Sequence, residues 1–127
     1  AFHCTQAVLK PMIKQKSGKI INMSSISAIC GLFDRVDYSA AKAALIGMTK
    51  ALAMEVGEYN ICVNCVSPGA IGRDGAALSH MTFLGENGRG GKPKDISDTV
   101  LFLASQDFIT GQNFIVDGGR TLGPGSI

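Results

Sequence analysis

Two short apolar runs separated by one long helix-forming stretch limit what this chain can fold into. Residues 19–23 (Lys-Ile-Ile-Asn-Met) and 61–66 (Ile-Cys-Val-Asn-Cys-Val) are short, apolar and bounded by turn formers, as strands are. Between them, residues 36–57 are rich in Ala, Leu and Met and end at Gly57, which reads as a long helix. The flanks continue the alternation. Phe2, Val8, Leu9, Met12 and Ile13 recur at helical spacing over residues 2–16, with Pro11 imposing a bend and Ser17-Gly18 ending the run. Residues 26–35 read as a connection, and residues 68–91 turn polar and glycine-rich. Pro93 then opens a helix with Ile96, Val100 and Leu103 on one face, and residues 114–116 form a last strand. Strands alternating with helices imply an α/β fold, a parallel sheet with helices on both faces.

The chain of 127 residues is an ordinary length for one domain and leaves no room for a second. Hydrophobic residues make up 46% and charged residues 17%, a balance that suits a piece covered by further protein. The net charge of +2 is small and scattered, which argues against nucleic-acid or membrane partners. No apolar stretch approaches the ~20 residues of a membrane span. A soluble, cytoplasmic enzyme is the expectation.

The residues that carry chemistry are Ser25, Tyr38 and Lys42. Tyr38 and Lys42 stand four apart at the start of the long helix, so they share a face. A free phenol titrates near pH 10, too high for a base at neutral pH, and a neighbouring cation is the simplest way to favour its ionised form. Ser25 follows the first apolar run, where a strand delivers a hydroxyl to the rim of a sheet. A hydroxyl donor and a phenol converging on one point suit proton transfer to or from a carbinol or carbonyl oxygen.

Cys62 and Cys65 have the CxxC spelling without a second pair or nearby histidines. In a strand, residues three apart point to opposite faces, so they read as buried free thiols and no metal site is expected. His3 and His80 are isolated.

Tyr-x-x-x-Lys alone is common by chance, but three further features fall in order around it. A Ser-Ser pair ends the preceding strand, its second serine thirteen residues before Tyr38. Pro68-Gly69-Ala70-Ile71 follows the next apolar run, and Thr110-Gly111-Gln112 through Val116-Asp117-Gly118-Gly119 closes the chain. Together these resemble the C-terminal half of the short-chain dehydrogenase/reductase family, over essentially the whole chain. The resemblance implies the distal part of a doubly wound, parallel-sheet, Rossmann-type fold. The family's N-terminal strands, its Gly-rich Thr-Gly-x-x-x-Gly-x-Gly turn for the cofactor pyrophosphate and its Asn-Asn-Ala-Gly strand have no counterpart here. An opening inside a helical pattern, Ala1-Phe2-His3-Cys4, agrees with the distal half of a longer reductase, inactive by itself.

By the same resemblance, Tyr38 is the general acid/base, Lys42 supports the phenol and holds the nicotinamide ribose, and Ser25 orients the substrate oxygen. Met23 and Ser24 border the cofactor, which is NAD or NADP. Pro68, Gly69 and Ile71 match the turn that packs on the nicotinamide. Arg73 stands where the family commonly has the Thr that holds the carboxamide. The lid that follows, from about residue 74 to 92, is short, with Leu78, Met81, Phe83 and Leu84 as its apolar group. The implied partners are a small alcohol or ketone and a second copy of the chain. The 36–57 helix carries a stripe of small residues (Ala40, Ala43, Ala44, Gly47, Ala51) for a homodimer or homotetramer, beside a stripe (Ala41, Leu45, Met48, Leu52, Val56) for the sheet. The expected activity is hydride transfer between a secondary alcohol and a ketone. A non-catalytic subunit that keeps the fold and assembly surface is the alternative from another class, and a dehalogenase or isomerase variant the alternative within enzymes.

Overall fold

The structure is a computed structural model describing residues 1–72, 82, 84 and 89–123. Arg73 and the lid positions Leu78, Met81 and Phe83 lie outside the described residues. In chain order the elements are α1 (Phe2–Gln15), β1 (Gly18–Met23), α2 (Ser27–Cys30), α3 (Val36–Val56), β2 (Ile61–Pro68), α4 (Pro93–Ser105) and β3 (Asn113–Val116). Among the described residues the strands form one parallel sheet in the order β1-β2-β3. Gly18 lies opposite Ile61 and Met23 opposite Val66, while Cys65 pairs with Asn113 and Pro68 with Val116.

As the central strand, β2 is buried from Ile61 to Ser67, because strands flank it and helices cover both faces. On one face Ile61 and Val63 join Leu52, Ala53 and Val56 of α3, with Leu9, Met12 and Ile13 of α1 packed around them. On the other, Asn64 ties the strand to the segment after α4. Its amide donates to the Ile109 carbonyl at 2.7 Å and its oxygen accepts from the Gln112 N–H at 3.1 Å. Lys19, at the start of β1, closes the same end of the sheet with an ion pair to Asp107 at 2.8 Å and a bond to the Gln106 carbonyl. Leu103 of α4 is almost wholly buried.

The small stripe of α3 faces outward as its pattern predicts: Ala40, Ala43, Ala44, Gly47 and Ala51 are exposed. The sheet-facing sector differs from expectation. Ala41 is exposed, and Thr49 and Ala53 join Leu52 and Val56 as the buried residues. Two polar ties turn that sector inward: Asn22 Nδ2 donates to Thr49 Oγ1 at 2.9 Å, and Ser24 Oγ donates to the Lys42 carbonyl at 2.7 Å. Apolar periodicity alone does not register such ties. The expected connection over residues 26–35 also contains the short helix α2, whose Ile29 and Cys30 N–H groups both reach the Ile26 carbonyl.

Cys62 and Cys65 are buried and free. Burial pushes the Cys65 thiol up, against hydrogen bonds from Ser24 and Thr49 that pull it down, so it stays protonated and inert. No helix among the described residues is long and apolar enough to cross a membrane.

Candidate active site

Parallel strands present their C-terminal ends along one edge, and here the chain stays stitched past the end of β1. The Ser24 N–H donates to the Val66 carbonyl at 2.8 Å and the Ile26 N–H to that of Pro68 at 3.1 Å. Ser24 is thereby buried, and Ser25 is left half-buried at the edge. Ser25 Oγ accepts the Ser27 N–H at 3.2 Å, which fixes the oxygen and leaves its proton to be donated elsewhere.

Helix α3 begins at the same edge. Asp34 adopts a left-handed φ of 58° ahead of it, and Asp37 in the first turn complements the positive end of the helix. Tyr38, on this turn, is 42% exposed. Lys42, one turn on, is half-buried, and its ammonium donates to the Met23 carbonyl at 2.9 Å while standing 5.7 Å from the centre of the Tyr38 ring. Tyr38 and Ser25 line a common cavity of about 490 Å³, with Gly69 and Ala70 from the turn after β2.

Of the sequence-derived set, the structure therefore brings Ser25, Tyr38 and Gly69 into one cavity, with Lys42, Met23 and Ser24 immediately behind it. Ile71 faces elsewhere. It bridges to Gly91 and lines a second cavity of about 650 Å³, together with Ala70, Arg89, Asp95, Asp98 and Asp117. Pro68 ends β2 and lies with Ile71 along the apolar side of α4. Arg73 falls outside the described residues.

Sequence reasoning passed over several residues of this edge. Arg35 and Arg120 line the Ser25–Tyr38 cavity, as does Cys30 of α2. Arg35 lies one helical turn before Tyr38, a spacing that could have drawn it in. Arg120 follows the Asp-Gly-Gly turn, whose geometry Asp117 sets. That carboxylate accepts from the Gly119 N–H at 2.9 Å, the Thr121 N–H at 2.7 Å and the Thr121 hydroxyl at 2.8 Å. Burial alone would raise Asp117, but these bonds outweigh it and hold the carboxyl below the usual carboxylate range. Gly69 packs directly on it: a Cβ there would sit 2.7 Å from Asp117 Cα.

The chain is similar to known proteins over most of its length. A family model described as Enoyl-(Acyl carrier protein) reductase matches residues 1–121. The chain is 44% identical, over 126 residues, to the 3-oxoacyl-[acyl-carrier-protein] reductase FabG of Chlamydia trachomatis serovar D, a match covering 93% of this chain and 51% of that protein. Among solved structures it resembles acetoin dehydrogenase YohF from Salmonella typhimurium, with a TM-score of 0.87 and 38% identity over 99% of this chain and 53% of that one. It also resembles ElxO with NADP bound, with a TM-score of 0.85 and 30% identity over 95% of this chain and 53% of that one. The chain thus spans about half the length of the relatives it matches.

Proposed function

The chain belongs to the short-chain dehydrogenase/reductase family, and from that premise we propose that it is the catalytic half of an NAD(P)-dependent oxidoreductase interconverting a secondary alcohol and a ketone. The observation that carries this reading is the shared cavity of Ser25 and Tyr38, backed by the Lys42 ammonium. In the direction of reduction, Tyr38 gives its phenolic proton to the carbonyl oxygen. In oxidation the phenolate takes the proton from the alcohol. Ser25 keeps its proton and donates a hydrogen bond to the same oxygen, while its own oxygen accepts the Ser27 N–H. Lys42 sets its ammonium 5.7 Å from the centre of the Tyr38 ring, one helical turn along the same face.

The donor set fits the nicotinamide end of a dinucleotide. An ammonium has three donors, and the hydrogen bond from Lys42 to Met23 leaves donors for a ribose hydroxyl. Pro68, Gly69 and Ile71 supply a backbone surface at the carboxyl end of the sheet, where dinucleotides bind in open α/β folds. The bound nicotinamide would supply or accept the hydride. Met23 and Ser24 border its site, and Arg73 belongs to the same proposed set by sequence. The outward stripe of α3, with Ala44 at its middle, is proposed as the contact between copies in a homodimer or homotetramer. A cytoplasmic location belongs to the same proposal.

The test is NAD(P)H oxidation by the full-length polypeptide against a panel of ketones. Turnover lost in Lys42→Ala together with weaker cofactor binding is the expected result. Unchanged cofactor affinity in that variant would remove the ribose contact. A folded full-length protein that turns over nothing would return the chain to the non-catalytic reading. Ala44→Arg should shift the assembly towards monomer, read by light scattering, since an unpaired guanidinium cannot be buried at a close helix contact.

A further inference from the structure

We propose that Ser24 is the positioning residue for Lys42: its hydroxyl fixes the backbone of the lysine while the neighbouring Met23 carbonyl holds the ammonium. This role deepens the oxidoreductase reading and rests on it only for the effect on cofactor binding and turnover.

Lys42 is held at both ends by consecutive residues at the end of β1. The Ser24 hydroxyl donates to its backbone carbonyl at 2.7 Å, and its ammonium donates to the Met23 carbonyl at 2.9 Å. Ser25, the next residue, lines the cavity. The two bonds differ in their surroundings. Ser24 is 4% exposed, whereas the ammonium makes its bond at an exposed position. A hydrogen bond open to water is nearly matched by one to solvent, so the outer bond by itself holds a flexible four-carbon side chain weakly. The sealed bond is costly to lose, because no water replaces the missing partner. A helix carbonyl keeps a second lone pair after its i+4 bond, so α3 accepts the Ser24 hydroxyl without giving up its own ladder. Ser24 is itself anchored, since its N–H donates to the Val66 carbonyl of β2 at 2.8 Å. The position of Lys42 is thereby set from the central strand. Tyr38, one turn earlier on the same helix face, is set with it. A misplacement of about 1 Å in a working group can lower a rate by roughly 10²-fold, which is why so short a tie matters to the site.

Thr49 supplies a matched control. Two helical turns further on, it makes the other hydroxyl tie between β1 and α3, accepting from Asn22 Nδ2 at 2.9 Å, and it is likewise buried. Loss of either hydroxyl should lower stability, but only Ser24 should govern Lys42. In the full-length polypeptide without cofactor, lysine acetylation by acetic anhydride is followed by peptide-resolved mass spectrometry. Lys50, exposed on the same helix, is the internal standard. Ser24→Ala should raise the Lys42 rate relative to Lys50 by about threefold, because the amine leaves its carbonyl partner, and Thr49→Ala should leave the ratio unchanged. Titration with NADH and NADPH should give a Kd about fivefold weaker in Ser24→Ala and within about twofold of the parent in Thr49→Ala. If Ser24→Ala does not fold, Ser24→Cys, which keeps the shape with a weak donor, takes its place. A ratio unchanged in the Ser24 variant, or raised as much in Thr49→Ala, overturns the positioning role. If the parent then still reduces ketones, the oxidoreductase stands without it. A selective rise with an unaltered Kd keeps the role and removes the ribose contact. A selective rise in a protein whose parent binds no NAD(P)H and turns over nothing keeps the role while the oxidoreductase reading falls.

Discussion

The two cavities that meet at Ala70 differ in charge and in how they are built. One is lined by Ser25 and Tyr38 with Arg35 and Arg120, and the other sets Arg89 against Asp95, Asp98 and Asp117. The first is assembled from side chains at the start of a helix and the end of a strand, held by short polar ties such as Lys42 to Met23. The second depends on backbones in close approach. A Cβ at Gly91 would meet the Ala70 carbonyl at 2.9 Å, while Gly118, at φ 63°, lies against the Thr82 side chain. One edge of the sheet is therefore built in two ways. Side chains are replaceable without disturbing the fold, whereas glycines packed on backbone are not.

The largest expected effect separates the two cavities completely. In the full-length polypeptide, Tyr38→Phe should lower kcat by roughly 10²–10⁴-fold, the usual contribution of a placed acid/base group. Tyr38 is largely outside the core, so the melting temperature and the titrated cofactor Kd should stay close to those of the parent. Retention of more than about a tenth of kcat would take the phenol out of the mechanism.

Gly69→Ala tests the wall between the cavities. The added methyl would lie 2.7 Å from both Asp117 Cα and Cβ, where backbone must move. A loss of about 1–3 kcal/mol by urea denaturation is expected, the scale of overpacking. Unchanged stability would mean that the wall yields freely and the contrast drawn above is wrong.

Asp117→Asn sharpens the same point through pH. The carboxyl is held low in the fold, so its contribution is present above the unfolded value near 4 and is lost as pH falls through the lower folded value. The variant should be less stable at pH 7 by about 1–2 kcal/mol, having lost charge-assisted bonds from Gly119 and Thr121. It should also lose less stability than the parent between pH 5 and acid, as read from denaturation midpoints. Parallel curves for the two proteins would contradict the assignment.

The smallest effect is expected at Gly18→Ala. The new methyl would approach Met12 Sδ to 2.6 Å and Cγ to 2.9 Å, but both atoms move with a change of rotamer in a flexible side chain. Only Cβ, at 3.2 Å, is held by the helix. A change under about 1 kcal/mol should follow. A cost equal to that at Gly69 would show that the number of close contacts matters more than whether backbone makes them.

Much of the architecture was legible because it rests on local chemistry. The apolar runs at residues 61–66 and 19–23 have no other use for their β-branched and aliphatic residues than a covered sheet, and the Ala-rich stretch between them can only cross over. The i, i+4 spacing of Tyr38 and Lys42 survives folding, since a helix imposes it whatever the surroundings. Other features were not legible. The inward turn of Thr49 depends on Asn22, 27 residues earlier, and Ala41 lost its place in the sheet-facing stripe as a result.

By itself, then, the amino-acid order determined the strand–helix alternation, the parallel crossover and the shared helix face of Tyr38 and Lys42, all of which follow from periodicities of a few residues. Tertiary structure alone decided that Arg120 stands in the cavity of Tyr38, that Ile71 turns to the opposite cavity, and that Gly69 carries Asp117 on its back. The reason is physical. Those relations join residues separated by long stretches of chain, and their distances are set by how β2 packs between β1 and β3, which no local periodicity encodes.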